Sequence, residues 1–178
     1  MNLIPANKFE KENVALLDLI VSQFKLDIKG DHGINHWRKV YEISIYLAEE
    51  IGADITVVSF FAYLHDAKRE DDVYDLQHGH KASDFIKELH SKHLLPLSED
   101  QLERLEVACK FHADSGIKSN DITIQTCWDA DRLDLWRVGV VPDKKFLNTD
   151  LAKQDKVMKY WCPKIFKEKR EKNENREA

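Results

Sequence analysis

Histidine is the side chain best suited to bind a transition metal or move a proton near neutral pH, and eight of the 178 residues are histidine. Four of them continue apolar stripes. His36 precedes Val40, Ile43 and Leu47; His65 follows Val58 and Phe61; His78 leads Ala82; His112 comes shortly after Cys109. These three- and four-residue steps turn the imidazoles toward a helical core. Two carboxylates share the pattern, since Asp66 follows His65 directly and Asp131 comes one turn after Cys127.

A single histidine on an apolar face is ordinarily a hydrogen-bonded core residue. The carboxylates change that reading, because an inward Asp costs several kcal/mol unless it is paired or bound to a cation. The chain offers few inward cations to pair with them. Neutral imidazoles with carboxylates are a ligand set for Zn, Mn, Fe, Co or Ni. A divalent transition metal would satisfy all six groups together.

The elements that must position these groups are helices. Gly and Pro are scarce, at six and four, and apolar residues recur at helical steps rather than in alternation. The spacing predicts helices over about 8–24, with Val14, Leu17, Ile20, Val21 and Phe24 inward, over 34–51, and over 55–68. Gly52 is suited to stop the second and Asp54 to cap the third. A polar loop with Asp71, Asp72 and Asp75 precedes a helix over about 78–93, and Ser98 with Gln101 forms a capping-box signal for the next. The segment 122–135 reads as helix despite the strand propensity of Ile122-Thr123-Ile124. A loop over 139–149, a weak helix to about Trp161 and a solvated charged run over 164–178 complete an all-α, single-domain reading of residues 1–178.

Composition limits the partners. The net charge of −5 lacks the basic footprint of a nucleic-acid binder, so small ligands are favoured. No apolar run approaches the roughly 20 residues of a membrane span, and the N-terminus has no signal-peptide centre. Cys109, Cys127 and Cys162 are odd in number and far apart, which argues against a disulfide framework and for a cytoplasmic protein. Phosphate loops, dinucleotide-binding glycines, serine-nucleophile elbows and H-E-x-x-H are all absent.

His36, the pair His65-Asp66 within Ala62-Tyr63-Leu64-His65-Asp66, and the distant Asp131 resemble the H…HD…D signature of HD-domain metal-dependent phosphohydrolases. His32-Gly33-Ile34-Asn35-His36-Trp37, His78-Gly79-His80-Lys81-Ala82 and Trp128-Asp129-Ala130-Asp131-Arg132-Leu133-Asp134 are similar to the fuller motifs of a largely uncharacterised subgroup, over roughly 31–149. The resemblance implies a compact multi-helix bundle of the HD-domain type in which His36, His65, Asp66 and Asp131 bind one metal. It also implies that His78, with His80 as its rival, and His112 join Asp66 around a second, so one or two ions are expected.

Such a centre implies hydrolysis of a phosphoester of a small metabolite or nucleotide by metal-activated water. Arg69 and Glu70 come three and four residues after Asp66, so a continuing helix would put them on its face, Arg69 as a clamp on phosphate and Glu70 as a proton donor. Lys68 is a second cation for that clamp, with a surface charge cluster as the alternative for this group. His32 and Arg132 are candidate substrate contacts, with solvent exposure the alternative for His32 and an ion pair with Asp129 or Asp134 for Arg132. The alternatives are a di-iron HD-domain oxygenase and a catalytically silent binding module.

Overall fold

The computed structural model describes residues 4–114 and 116–162; the charged run over 164–178 lies outside them. The described residues form eight α-helices and two short 3-10 turns joined by loops, with no strand among them. Helices α1 (Lys8–Glu12) and α2 (Val14–Gln23) replace the single helix expected over 8–24. Asn13 breaks it: its backbone leaves the helical region and its side-chain amide donates to the Phe9 carbonyl, closing α1. Val14, expected inward, is consequently 47% exposed.

Helix α3 (Ile34–Ile51) ends on Gly52 in the left-handed conformation, which glycine adopts without a Cβ penalty. Asp54 caps α4 (Ile55–Leu64) by accepting from the amides of Thr56 and Val57. This helix stops short of the expected Lys68, because residues 65–68 tighten into turns with Arg69 N–H donating to the Asp66 carbonyl. Helices α5 (His78–Ser91) and α6 (Glu99–Phe111) follow, the latter opened by the Ser98/Gln101 capping box. Asp121 caps α7 (Ile122–Leu133), which settles the ambiguous segment as helix, and a 3-10 turn over Leu135–Val138 carries the chain out of it. A second 3-10 turn, Lys144–Phe146, lies within the expected loop, and α8 spans Asp155–Trp161.

Helices α3, α4, α6 and α7 pack on one another around Trp37, Val40, Ile43, Phe61, Leu64, Leu105 and Trp128, and α5 packs on α6. The short link between α3 and α4 makes them antiparallel, so the start of α3 lies beside the end of α4. The starts of α3 and α5 and the ends of α4, α6 and α7 thereby meet at one end of the bundle. Gly79 is required there. A Cβ on it would stand 2.6 and 2.8 Å from the carbonyl oxygens of Lys110 and Cys109, so only glycine lets α5 begin against the last turn of α6. No described helix is long and apolar enough to cross a membrane.

Candidate metal centre

His36 from α3, His65 and Asp66 from the end of α4, His78 from α5, His112 after α6 and Asp131 from α7 converge at that end. The four imidazoles and Asp66 are all buried. His78 stands beside His112, whereas His80, two residues on and about 200° around the helix, is exposed and packs on Phe111.

Two lobes share Asp66. In one, Nε2 of His36 lies 3.1 Å from Nε2 of His65 and 3.4 Å from Oδ1 of Asp131, and Oδ2 of Asp66 is 3.7 Å from both imidazole nitrogens. In the other, Nε2 of His78 lies 2.9 Å from Nε2 of His112, with Oδ1 of Asp66 at 3.4 and 3.6 Å from the two. That oxygen is buried and has no hydrogen-bond partner.

The outer nitrogens explain why the inner ones face each other. Nδ1 of His65 donates to the Phe61 carbonyl at 3.1 Å, Nδ1 of His112 to the Cys109 carbonyl at 2.7 Å and Nδ1 of His78 to the Asp75 carbonyl. Nδ1 of His36 donates to Oδ2 of Asp134 at 2.8 Å. A carbonyl only accepts, so each neutral ring carries its proton on Nδ1 and turns the Nε2 lone pair inward. Lone pairs about 3 Å apart repel unless a cation lies between them. Two ligand atoms about 2.0–2.1 Å from one ion lie about 2.8–3.4 Å apart in octahedral or tetrahedral arrangement, which matches both imidazole pairs. Two groups, His36 with His65 and Asp131, and His65 with Asp66 and His112, could hold a metal, and His78 stands beside the second.

The electrostatics agree with that fit. Burial would raise the Asp66 carboxyl, but the imidazoles of His65, His112 and His36 override it and hold it well below the usual range. Asp131 is likewise held down against burial by its contact with His36 and by His65. His65, the most enclosed ring, is driven by burial down to about 3 despite both aspartates. The carboxylates are therefore charged and His65 is neutral near pH 7, as metal ligands must be. Against burial, however, Asp131 and Asp134 raise His36, and Asp66 raises His112, so an ion binding there displaces protons.

A cavity of ≈ 330 Å³ opens over these groups. Asp66, His78, His112 and Asp131 line it, together with His32, Arg69, Arg132, Arg137, Leu135 and Phe146 among others. Each arginine is anchored by a main-chain carbonyl: Arg69 by that of Asp71 at 3.0 Å, Arg132 by that of His112 at 3.3 Å, Arg137 by that of Asp31 at 2.7 Å. Arg132 is 8% exposed and forms no ion pair among the described residues. His32 is oriented by Asp72, whose Oδ1 is 2.9 Å from Nδ1.

Two expected contacts do not reach the cavity. The ammonium of Lys68 hydrogen-bonds Gln23 and lies 3.9 Å from the centre of the Phe85 ring. Glu70 is exposed and clasped by Lys25 at 2.6 Å and Lys81 at 2.7 Å, which hold its carboxyl down to about 2. The expectation for Glu70 assumes a continuous helix; the tightened turn keeps Arg69 beside Asp66 and sends Glu70 outward. Asp129 and Asp134, expected as ion-pair partners of Arg132, turn elsewhere, Asp134 to His36 and Asp129 to Asn148 and Thr149. The Asp129 carboxylate takes four hydrogen bonds from Asn148 and Thr149 and pins the returning loop.

No protein-family model matches the chain, and no curated protein matches it. Among solved structures, the chain is similar to one from an uncultured Thermotogales bacterium described as a predicted HD superfamily hydrolase. Identity is 20%, 90% of this chain and 91% of that one are covered, and the TM-score is 0.68. With the histidine and aspartate positions already in place, this likeness establishes that the chain has the HD-domain fold.

Proposed function

We propose that the protein is a metal-dependent phosphohydrolase, a phosphomonoesterase or phosphodiesterase, acting on a small phosphorylated metabolite or nucleotide. His36, His65, Asp66 and Asp131 would hold one divalent transition ion, and Asp66 with His78 and His112 a second. The observation that carries the phosphate assignment is Arg132: a buried guanidinium, anchored by a carbonyl and without a carboxylate partner among the described residues, bordering the cavity above these ligands. Asp131, Asp129 and Asp114 act on this guanidinium from a distance, but none is in ion-pair contact with it, so its planar fork is open to a phosphoryl group.

When bound, such ions supply hydroxide from water near neutral pH and polarise phosphoryl oxygens. The chain's own residues do the positioning. Arg132, Arg69 and Arg137 hold the phosphoryl oxygens and offset the charge that develops on them. His32, fixed by Asp72, contacts the remainder of the substrate, and Leu135 and Phe146 give it an apolar wall. Glu70 and Lys68 take no part. A cytoplasmic location accords with this substrate class.

The test is phosphate release from nucleotides and sugar phosphates under anaerobic conditions, with Mn, Co, Ni, Zn and Fe supplied in turn. Release supported by redox-inert ions is expected. No release with any metal, together with iron-dependent oxygen uptake on adding a substrate, would transfer the site to the oxygenase reading.

A further inference from the structure

Arg69 stands inside the second lobe rather than only at its rim. Its Nη1 is 3.2 Å from Nε2 of His78 and 3.5 Å from Oδ1 of Asp66, two of the three atoms that a second ion would need. A guanidinium does not lose its charge in a protein, and in a buried site it repels a divalent cation strongly. The first lobe has no such competitor, for neither Asp131 nor Oδ2 of Asp66 is paired with Lys or Arg among the described residues.

Arg69 also has freedom to leave. One other side-chain bond, to the Asp71 carbonyl, holds it, and it lies in a helix-free stretch, residues 65–77, in which Val73, Tyr74 and Leu76 are 90, 74 and 71% exposed. Asp71 and Asp75 hold this turn from within through the amides of Glu70, Val73, Tyr74 and Gln77, so the guanidinium can leave by rotating its own long side chain while the turn stays in place. The same guanidinium borders the cavity, where an oxyanion can compete for it with His78.

We propose that Arg69 and a second divalent ion are alternative occupants of the lobe formed by Asp66 Oδ1, His78 and His112, and that an oxyanion in the cavity draws Arg69 away and admits the ion. This rests on the metal-centre reading above and adds to it a coupling between substrate and metal loading. The substrate-free protein then carries one ion, and the phosphate-bound protein two.

The experiment counts Mn(II) bound to the full chain by equilibrium dialysis and by electron paramagnetic resonance of the free ion, without and with inorganic phosphate. Wild type should bind one ion without phosphate and two with it. Arg69→Gln should bind two in both conditions, and the double variant R69Q/H78A should return to one. Arg69→Met repeats the test should the glutamine variant lose helical content. Two ions in wild type without phosphate, one ion in wild type at both phosphate levels, or one ion in both neutral Arg69 variants without phosphate overturns the exchange. Failure of any ion to bind in any condition contradicts the metal centre itself.

Discussion

Oδ2 of Asp134 accepts a hydrogen bond from Nδ1 of His36 at 2.8 Å, joining the start of α3 to the residue that closes α7. This contact decides which nitrogen of His36 faces the site. It also raises the basicity of Nε2, as a carboxylate behind a ligating imidazole does. Asp134→Ala should weaken divalent-ion binding about 10- to 100-fold while the helical content holds. Calorimetric titration with Mn(II) measures it, and an unchanged affinity removes Asp134 from the centre.

The three aspartates at 129, 131 and 134 show what the sequence made legible and what it did not. Asp131 continues a stripe with Ile124 and Cys127, so its inward direction follows from helical periodicity alone. Asp129 and Asp134 get their roles from Asn148, Thr149 and His36, partners that only the tertiary fold supplies. Helix ends divide differently. Gly52, Asp54 and the Ser98/Gln101 pair act locally and could be read directly. The break at Asn13 and the unwinding after Leu64 are equally local, held by the Asn13 amide on the Phe9 carbonyl and the Arg69 amide on the Asp66 carbonyl, but no Gly or Pro marks them, and the second separates Arg69 from Glu70.

Asp129 tests that distinction. Its buried carboxylate accepts from two amides, a side-chain amide and a hydroxyl. Asp129→Ala strands those donors and should destabilise the fold by about 3 kcal/mol. Urea unfolding reports the loss, and metal affinity measured on the folded fraction should remain that of wild type. A variant as stable as wild type would show that the loop is held by other means.

Arg132 should act on substrate rather than on metal. Replacing it by Gln removes charge-assisted hydrogen bonds to the phosphoryl group, each worth about 1.5–3 kcal/mol, so kcat/KM should fall about 10- to 100-fold with ion content unchanged. Steady-state kinetics with metal analysis of the same sample decides it. Loss of metal without loss of kcat/KM per bound ion would assign Arg132 to structure.

Glu10 predicts a pH dependence of stability away from the site. It is 1% exposed and bonded to Arg38 at 2.7 and 2.9 Å, to the Ala6 amide and to the Tyr63 hydroxyl. Burial raises its pKa, but the Arg38 pair, the Ala6 amide and the Tyr63 hydroxyl bring it below the ordinary 4.5. The folded state therefore binds this proton more weakly than the unfolded one. The stabilisation is complete above about pH 4.5 and is lost as pH falls through the lower folded value. Glu10→Gln should cost about 1–3 kcal/mol at pH 7, and its deficit against wild type should shrink below pH 4.5. A constant deficit across that range would contradict the assignment.

The account turns on Asp66, whose Oδ2 faces His36 and His65 while its Oδ1 faces His78 and His112. One substitution there should disable both lobes. The deciding measurement is the metal content, by elemental analysis, of wild type and Asp66→Ala purified without chelator, alongside circular dichroism of each. Bound transition metal in wild type and none in the variant, at equal helical content, is the predicted result; full metal occupancy in Asp66→Ala would contradict the account at its centre.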